Sequence, residues 1–271
     1  MKILLTGATG FIGSHIYKSL SLDHEVRVLH RGEKNLLNCN DNFDCLIHCA
    51  SATPSNTSDP YQLVVDNISY AKNLVDFVKS QKIRILIYLS SMSVYGEMIS
   101  GCVNEDCGAF DPSLYGLSKF MAEKIFTDYL KNEEVKKIFL RLPGVVGIGA
   151  KDVFLAKLRS GFKDGKEVTV YNSTQLFNNV LHVNSLVNYI KFILIENSQY
   201  PKDLALNMSS VEPIEVCEVI EIFKELIPSD AQVFYGDSLK PSFLISCEKA
   251  IEYGFIPSTT ENSIRDYLLD F

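Results

Sequence analysis

The chain has 271 residues, of which 46% are hydrophobic and 22% are charged, and its formal net charge is −7. A length of this order predicts one or two domains and allows a core that needs neither disulfides nor metal. The balanced composition excludes a disordered, collagen-like or coiled-coil chain. An acidic chain lacks the positive charge that attracts phosphate backbones or anionic lipids, so we expect neither nucleic acid nor a membrane as a partner.

Hydropathy and cysteine usage predict a soluble protein of the cytoplasm. No apolar run approaches the roughly 18 residues that a membrane span requires, and the apolar segment 1–5 is too short for a signal peptide. The seven cysteines contain no C-x-x-C pair, which favours free thiols in a reducing compartment. The five histidines form no H-E-x-x-H motif or cluster, so we predict no metal site.

Short apolar segments alternate with longer amphipathic segments through the first two thirds of the chain. The predicted strands, rich in Val, Ile and Leu, are 2–6, 26–30, 44–48, 83–90 and 136–141. The predicted helices, with apolar residues at helical spacing, are 11–22, 61–80 and 115–132. Strands that are apolar throughout are typical of a sheet covered on both faces. The pattern predicts an α/β fold with a Rossmann-like, doubly wound parallel sheet.

One connection in this series is unusually short. About a dozen residues, 32–43, separate the second and third predicted strands, which is scarcely enough for one crossover. A crossover, a further strand and a second crossover do not fit there. We therefore expect the sheet to lack one outer strand that most dinucleotide-binding folds possess.

Later segments predict a small interleaved α/β lobe that binds substrate. The later strand-like segments are 168–171 and 176–182, the later helical segments are 185–196, 215–226 and 263–271, and 203–208 is expected to return to the sheet. We assign 1–165 to a dinucleotide-binding domain that is completed by about 176–210. The substrate lobe then consists of 166–175 and 211–271.

Three glycines, Gly7, Gly10 and Gly13, follow the first strand and open the first helix. The first permits a tight turn, the second lets the backbone approach a pyrophosphate, and the third lets the helix pack against the strand. The N-terminus of a helix also offers free N–H groups and a partial positive charge to an anion. This context predicts a dinucleotide site, although Thr9 takes the place of the middle glycine of the more familiar G-x-G-x-x-G motif.

The end of the second strand bears on which dinucleotide is bound. An Asp or Glu at this position binds the ribose 2′-hydroxyl of NAD, and this chain has His30 and Arg31 instead. A guanidinium suits a 2′-phosphate through bidentate hydrogen bonds, which favours NADP(H), with NAD(H) as the alternative. A solvated surface side chain is the other interpretation of Arg31.

Tyr115 and Lys119 lie four residues apart at the start of a predicted helix and therefore share one face. A phenol has an ordinary pKa of about 10, and a neighbouring ammonium favours its phenolate. Upstream, Ser90, Ser91 and Ser93 follow the fourth strand, and open α/β sheets bind ligands at the carboxyl ends of their strands. The three motifs together, in this order, indicate an acid–base site beside a dinucleotide.

With these motifs the chain resembles an extended short-chain dehydrogenase/reductase of the nucleotide-sugar epimerase/dehydratase/reductase superfamily, over essentially its whole length. The further segments that carry the resemblance are 46–51, 140–147, 180–183 and 250–257. The resemblance implies an NAD(P)-dependent enzyme with a nucleotide-sugar substrate. It also implies a homodimer formed through the helices 61–80 and 115–132.

The resemblance further implies roles for individual residues. Tyr115 is expected to exchange a proton with the sugar, Lys119 to bind the nicotinamide ribose and favour the phenolate, and Ser91 to hydrogen-bond the reacting oxygen. The alternative for Ser91 is a strand-end hydroxyl that caps the next turn. The expected cofactor-binding residues are Gly7, Thr9, Gly10, Phe11, Ile12, Gly13, His30, Arg31, Cys49, Ala50, Ser51, Tyr115, Lys119, Leu142 and Pro143. The expected substrate-binding residues are Ser93, Gly144 and Asn179.

Departures from the family pattern narrow the expected reaction. Met92 and Ser93 stand where the dehydratases carry an Asp-Glu pair, so elimination of water from the sugar is disfavoured. Gly144 replaces an asparagine that many epimerases use toward the substrate. The leading prediction is an NADP(H)-dependent reductase of a keto group on a nucleotide-activated deoxysugar. The alternatives are an NAD-dependent nucleotide-sugar 4-epimerase and a non-catalytic dinucleotide-binding sensor or scaffold.

Overall fold

The computed structural model describes residues 1–30, 42–97, 101–236 and 243–270. Its strands in chain order are β1 (Lys2–Thr6), β2 (Glu25–Leu29), β3 (Cys45–His48), β4 (Ile85–Ser91), β5 (Gly101–Val103), β6 (Lys136–Leu142), β7 (Gly144–Val146), β8 (Val168–Tyr171), β9 (Leu176–Phe177), β10 (Val180–His182), β11 (Asp203–Asn207), β12 (Ile214–Glu215), β13 (Val233–Gly236) and β14 (Phe243–Ile245). Its α-helices are α1 (Phe11–Leu20), α2 (Pro60–Gln81), α3 (Leu114–Tyr129), α4 (Phe154–Lys163), α5 (Val183–Ile195), α6 (Val216–Leu226), α7 (Glu248–Glu252) and α8 (Thr260–Leu269). Short 3-10 helices follow β4 and α5, at Met92–Tyr95 and Asn197–Gln199.

The chain divides into two compact units, each of which is discontinuous in sequence. The first comprises Met1–Glu97, Gly108–Arg141 and Ile190–Leu206. The second comprises Met98–Cys107, Leu142–Tyr189 and Asn207–Phe271. No helix among the described residues is long and apolar enough to cross a membrane.

The first unit is built on a six-stranded sheet of order β11-β6-β4-β3-β1-β2. The pairings of β1 with β2, β1 with β3 and β3 with β4 are parallel. Strand order runs outward in both directions from the junction of β1 and β3, which confirms the predicted doubly wound sheet. Apolar side chains of the strands pack against α2 and α3 in one core, which includes Leu4, Leu46, Leu74, Leu86 and Phe126.

Local sequence accounts for the bounds of α2, the longest helix described. The Asp59 side chain accepts a hydrogen bond from the Tyr61 N–H, and Pro60 occupies the first turn, where its missing N–H costs nothing. The helix ends where Lys82 adopts a left-handed conformation with φ of 53°. The buried face carries Leu63, Asn67, Ala71 and Leu74, and Asn67 is the polar member of this series.

At the edge of the sheet, β2 pairs with β1 alone among the described strands. The expectation of a missing outer strand depends on the segment that follows β2. Residues 31–41 lie outside the described residues, so this expectation stays a prediction.

The second unit consists of short strand pairs and helices. The parallel pairs are β7 with β10, β8 with β13 and β5 with β14, and β9 pairs antiparallel with β12. Helices α4, α6 and α8 supply an apolar core that includes Leu158, Phe162, Phe223 and Ile264.

The bounds of this second unit differ from the predicted lobe. Residues 142–165 and 176–189 group with it, because β7 pairs with β10 and α4 packs into the core of this unit. The segment 176–182, predicted as one strand, forms β9 and β10 with a break at Asn178 and Asn179.

Candidate active site

The glycine turn between β1 and α1 has the close backbone packing that its sequence predicts. Gly7 has φ of +73°, and a Cβ there would lie 2.6 Å from the Ala50 nitrogen. A Cβ on Gly13 would lie 2.1 Å from the Gly7 carbonyl oxygen, so α1 could not approach the strand as it does. A Cβ on Gly10 would meet nothing nearer than 3.4 Å. Backbone packing within the protein therefore requires glycine at positions 7 and 13. Packing does not require Gly10, and its lack of a side chain leaves a space at the N-terminus of α1.

A cavity of about 470 Å³ opens at this turn. It lies at the switch point between β1 and β3, from which the strand order runs outward in both directions. It is lined by the turn, the end of β2, the loop after β3 and one side of α2. The predicted cofactor residues that line it are Gly7, Thr9, Gly10, His30, Cys49, Ala50 and Ser51. The first turn of α1 carries no acidic side chain. The cavity therefore fits a dinucleotide, whose pyrophosphate requires close backbone and free N–H groups at a switch point of the sheet.

The remaining predicted cofactor residues fall in other places. Phe11, Ile12 and Gly13 form the first turn of α1. Leu142 and Pro143 belong to the second unit, and Arg31 lies outside the described residues.

Asn67 holds the loop that follows β3. Its Oδ1 accepts hydrogen bonds from the Ala52 N–H at 2.8 Å and the Ser51 hydroxyl at 3.2 Å. Its Nδ2 donates to the Ala52 carbonyl at 3.0 Å and to the Ser118 hydroxyl at 2.9 Å. Asn67 is buried, so these four bonds fix the loop against α2 and α3. Sequence reasoning missed this residue, although a polar residue at a core position of a helix was a usable signal.

Tyr115 lies in the first turn of α3 beside two hydroxyl groups. Burial raises the pKa of its phenol above the ordinary value, and side-chain hydrogen bonds with Ser91 and Ser51 lower it in part. Ser51, predicted to bind cofactor, therefore also contacts the predicted acid–base. A phenol that contacts two hydroxyl groups can also exchange its proton with the hydroxyl group of a ligand bound beside them.

Lys119 lies one helical turn further along α3 and is 3% exposed. Its Nζ donates to the Leu89 carbonyl at 2.6 Å and lies 4.5 Å from the centre of the Tyr88 ring. Burial lowers the pKa of Lys119 to about 8, against the opposing effects of Cys49 and Glu123. The side chain is thus a buried cation at neutral pH, held on the same helix face as Tyr115.

Ser91 ends β4 and begins the 3-10 helix. Its Oγ accepts a hydrogen bond from the Ser93 N–H at 3.1 Å and lies 3.1 Å from the Ser93 hydroxyl. The predicted alternatives for Ser91, a turn cap and a partner of the reacting group, are therefore compatible, because it caps the turn and also contacts Tyr115. Helix α3 approaches this turn so closely that a Cβ on Gly116 would lie 2.0 Å from the Ser93 carbonyl oxygen.

The second unit holds a separate cavity of about 930 Å³. Two of the predicted substrate residues, Gly144 and Asn179, line it, together with Lys157. The rings of Phe154 and Phe177 meet edge to face in its wall, with centroids 5.8 Å apart. The Asn179 Oδ1 is buried and has no hydrogen-bond partner among the described residues.

The neighbouring Asn178 has a different role. Its side chain is buried, donates to the Ile245 and Ser210 carbonyls, and accepts from the Ile245 N–H. These bonds explain the break between β9 and β10, because the amide takes the place of ladder bonds at that point. Of the two asparagines, only Asn179 lines the cavity.

A doubly wound sheet with a glycine turn at its switch point, and with a tyrosine and a buried lysine on one helix, defines a short-chain dehydrogenase/reductase. The family model described as the NAD dependent epimerase/dehydratase family matches residues 3–208. The chain belongs to this family, and the predicted resemblance is confirmed. The protein is accordingly an enzyme of the extended short-chain type that uses a nicotinamide dinucleotide.

Individual relatives agree with this assignment. A UDP-glucose 4-epimerase of Vibrio cholerae is 29% identical over 215 residues, which cover 70% of this chain and 65% of that protein. The structure of MoeE5 in complex with UDP-glucose and NAD has a TM-score of 0.84 at 23% identity and covers 99% of this chain and 97% of that one. RMD from Pseudomonas aeruginosa, complexed with NADPH, has a TM-score of 0.77 at 21% identity and covers 98% of this chain and 97% of that one.

Proposed function

We propose that this protein is a nucleotide-sugar 4-epimerase, which oxidises one sugar carbon transiently and reduces it again with the opposite configuration. The observation that carries the proposal is the placement of the Tyr115 phenol against Ser91 and Ser51, with the buried Lys119 on the same helix face. When bound, a nicotinamide dinucleotide supplies the hydride acceptor and donor for this chemistry.

The side chains divide the proton chemistry among themselves. The Tyr115 phenolate removes the proton from the sugar hydroxyl during oxidation and returns it during reduction. The positive charge of the Lys119 ammonium favours the phenolate and so opposes the burial that raises the pKa of Tyr115. The Ser91 hydroxyl donates a hydrogen bond to the same sugar oxygen, and Ser51 holds the phenol in position. Burial of these groups excludes water, which strengthens each of the interactions.

Two observations favour epimerisation with NAD. The Vibrio cholerae relative is a UDP-glucose 4-epimerase, and MoeE5 was solved with UDP-glucose and NAD. Among the described residues that line the cofactor cavity there is one carboxylate, Asp66, and no lysine or arginine. A carboxylate disfavours a 2′-phosphate at this site, because like charges repel.

An NADP(H)-dependent keto-sugar reductase is the second candidate. The residue at the end of β2 that lines the cavity is His30, where an Asp or Glu would bind the ribose of NAD. Arg31 follows it in the sequence and supplies a guanidinium suited to a 2′-phosphate. The RMD structure with NADPH supports this cofactor for a protein of the same fold.

For the substrate, we propose that the cavity of the second unit binds the nucleotide portion. The edges and faces of Phe154 and Phe177 suit a base, and the unpartnered Asn179 Oδ1 can accept a hydrogen bond from it. Lys157 is exposed and lines the cavity, so its ammonium can reach a diphosphate bound there. Ser93 lies beside Ser91, where a second hydroxyl can bind the sugar.

We further propose a homodimer formed through α2 and α3. Leu117, Met121 and Tyr129 are exposed on α3, and Tyr61 is exposed on α2. Exposed apolar side chains that share a helix face are typical of a surface covered by a partner. Light scattering after size exclusion tests this: we expect the mass of two chains for the wild type and of one chain for Met121→Glu.

The function is tested by analysing the purified protein for bound dinucleotide and incubating it with UDP-glucose and UDP-galactose. An epimerase retains NAD and interconverts the two sugars without added cofactor. A reductase instead binds NADPH reversibly and consumes it with a keto-sugar.

Tyr115→Phe should lower turnover at least about 1,000-fold while the dissociation constant of the dinucleotide changes less than twofold. Full turnover by Tyr115→Phe would refute the assignment, and absence of turnover by the wild type with every sugar would favour a sensor or scaffold.

A further inference from the structure

A buried group of four polar residues lies next to the proposed catalytic side chains. Glu123 of α3 accepts hydrogen bonds at Oε1 from the Ser90 hydroxyl and from the Arg141 Nε, and at Oε2 from the Arg141 Nη2 at 2.7 Å. The Arg141 Nη1 donates to the Tyr95 hydroxyl at 2.6 Å, and the guanidinium lies 5.0 Å from the centre of that ring. All four residues are buried.

Two of these residues, Ser90 and Tyr95, flank the segment that contains Ser91 in the sequence. Ser90 immediately precedes Ser91, and Tyr95 ends the 3-10 helix Met92–Tyr95 that follows it. Glu123 lies one helical turn beyond Lys119 and two turns beyond Tyr115, on the same face of α3. Glu123 is thus bonded to Ser90, at one end of the Ser91 segment, and its partner Arg141 is bonded to Tyr95, at the other end. Glu123 lies on α3, the helix that also carries Tyr115 and Lys119.

Stability alone does not account for this pair. Removing two charges from water costs several kcal/mol per ion, and apolar residues of similar volume often replace such a pair without loss of stability. The Arg141 guanidinium nevertheless stays charged. Although burial lowers the pKa of Arg141, the hydrogen bond and charge of Glu123 raise it overall. A planar guanidinium bonded to a carboxylate on one side and to a phenol on the other fixes both partners in direction as well as distance.

We infer that Glu123, Arg141 and Tyr95 are positioning residues that hold the Ser91 turn in register with Tyr115 and Lys119. They touch none of the reacting atoms themselves and act through the segment that they enclose. Because proton transfer requires hydrogen-bond distance, a shift of the turn by about 1 Å lowers the rate of the chemical step. The inference rests on the proposed function for its kinetic part only.

Tyr95→Phe is the most specific variant, since it removes the hydroxyl that accepts from Arg141 and leaves the Glu123–Arg141 bonds in place. The matched control is Tyr189→Phe in the second unit. This variant also removes a buried tyrosine hydroxyl, which in the wild type donates a hydrogen bond to the Tyr253 carbonyl. Arg141→Lys, which keeps the charge but lacks the planar fork, extends the series.

Two measurements decide the inference. The first is hydrogen exchange at the Ser93 and Gly96 amides, which donate to the Ser91 Oγ and the Ser93 carbonyl. We expect exchange at least about fivefold faster in Tyr95→Phe than in Tyr189→Phe at matched thermal stability. The second is UDP-glucose turnover, for which we expect kcat about tenfold lower in Tyr95→Phe with KM unchanged within twofold.

The possible outcomes separate this inference from the proposed function. Equal exchange in the two variants, or a kcat that falls only in proportion to folded protein, overturns the positioning role. If the wild type turns over no nucleotide sugar, the proposed function fails, and the exchange rates alone still support or overturn the positioning role.

Discussion

Two regions of the chain, the surroundings of Tyr115 in the first unit and the cavity of the second unit, differ in how their polar side chains are satisfied. In the first unit, Asn67, Lys119 and Glu123 are buried and each has its hydrogen-bond partners. In the second unit, the cavity is lined by the exposed Lys157 and by Asn179, whose buried Oδ1 has no partner among the described residues. Groups that transfer protons need a fixed geometry before the ligand binds. Groups that select a ligand need hydrogen-bond donors or acceptors that no protein group already occupies. The comparison therefore supports the proposal that the first unit carries the chemistry and that the second selects the nucleotide sugar.

The largest effects should come from the glycine turn of the first unit. Gly13→Ala places a Cβ 2.1 Å from the Gly7 carbonyl oxygen, so we expect a loss of about 3 kcal/mol in the free energy of unfolding, measured by urea denaturation. Gly10→Ala meets no atom closer than 3.4 Å and is its matched control for folding.

Gly10→Ala should leave the unfolding midpoint without cofactor nearly unchanged and weaken dinucleotide binding at least about tenfold, because its methyl group would fill the space that we propose for the pyrophosphate. Isothermal titration measures this. Tight binding by Gly10→Ala would show that the cavity at this turn serves another ligand.

A second prediction concerns the cost of burying Lys119. The pKa of Lys119 is lowered from 10.5 to about 8 in the folded protein, so the unfolded state binds more protons between these pH values. The unfavourable contribution of Lys119 is therefore fully present below about pH 8 and disappears as the pH rises toward 10.5. Lys119→Met should raise the free energy of unfolding by about 2 kcal/mol at pH 7 while abolishing turnover.

Urea denaturation at pH 7 and pH 10 checks this prediction. The gain from Lys119→Met should be smaller at pH 10, because the wild type no longer bears the cost there. Lys72→Met, at a half-exposed pair with Asp76, is the control and should show no such pH-dependent gain. A gain of equal size at both pH values would mean that packing, and not charge burial, limits the stability of the wild type.

The smallest expected effect lies in the second unit. Asn179→Leu removes a buried acceptor that has no partner among the described residues, so the free energy of unfolding should rise by about 1 kcal/mol. Lys157→Ala, at an exposed side chain, should leave stability unchanged. Each variant should raise KM for the nucleotide sugar about fivefold and leave kcat unaltered. A fall in kcat with constant KM would contradict the division of roles between the two units.

Several features were predictable because they depend on residues close together in sequence. The alternation of apolar strands and amphipathic helices gave β1 to β4, β6 and α1 to α3 within a few residues of their observed bounds. The glycine turn was recognised from its position between strand and helix. Tyr115 and Lys119 were placed on one helix face by their spacing alone.

Other features depend on partners that are distant in the chain. The Glu123–Arg141 pair, the Asn67 bonds to the loop after β3 and the Asn178 bonds to Ile245 join residues that sequence periodicity does not relate. The grouping of 142–165 with the second unit follows from the pairing of β7 with β10, which strand propensity alone does not specify.

The sequence by itself therefore determined the class of fold, the glycine turn and the tyrosine–lysine pair, because periodicity and turn chemistry act over a few residues. Only the tertiary structure decided where each buried polar group finds its partner, and with it how the Ser91 turn is held and which asparagine lines the second cavity. Burial makes an unpartnered polar group costly, so the choice of partner is settled by the packing of the whole unit and not by local sequence.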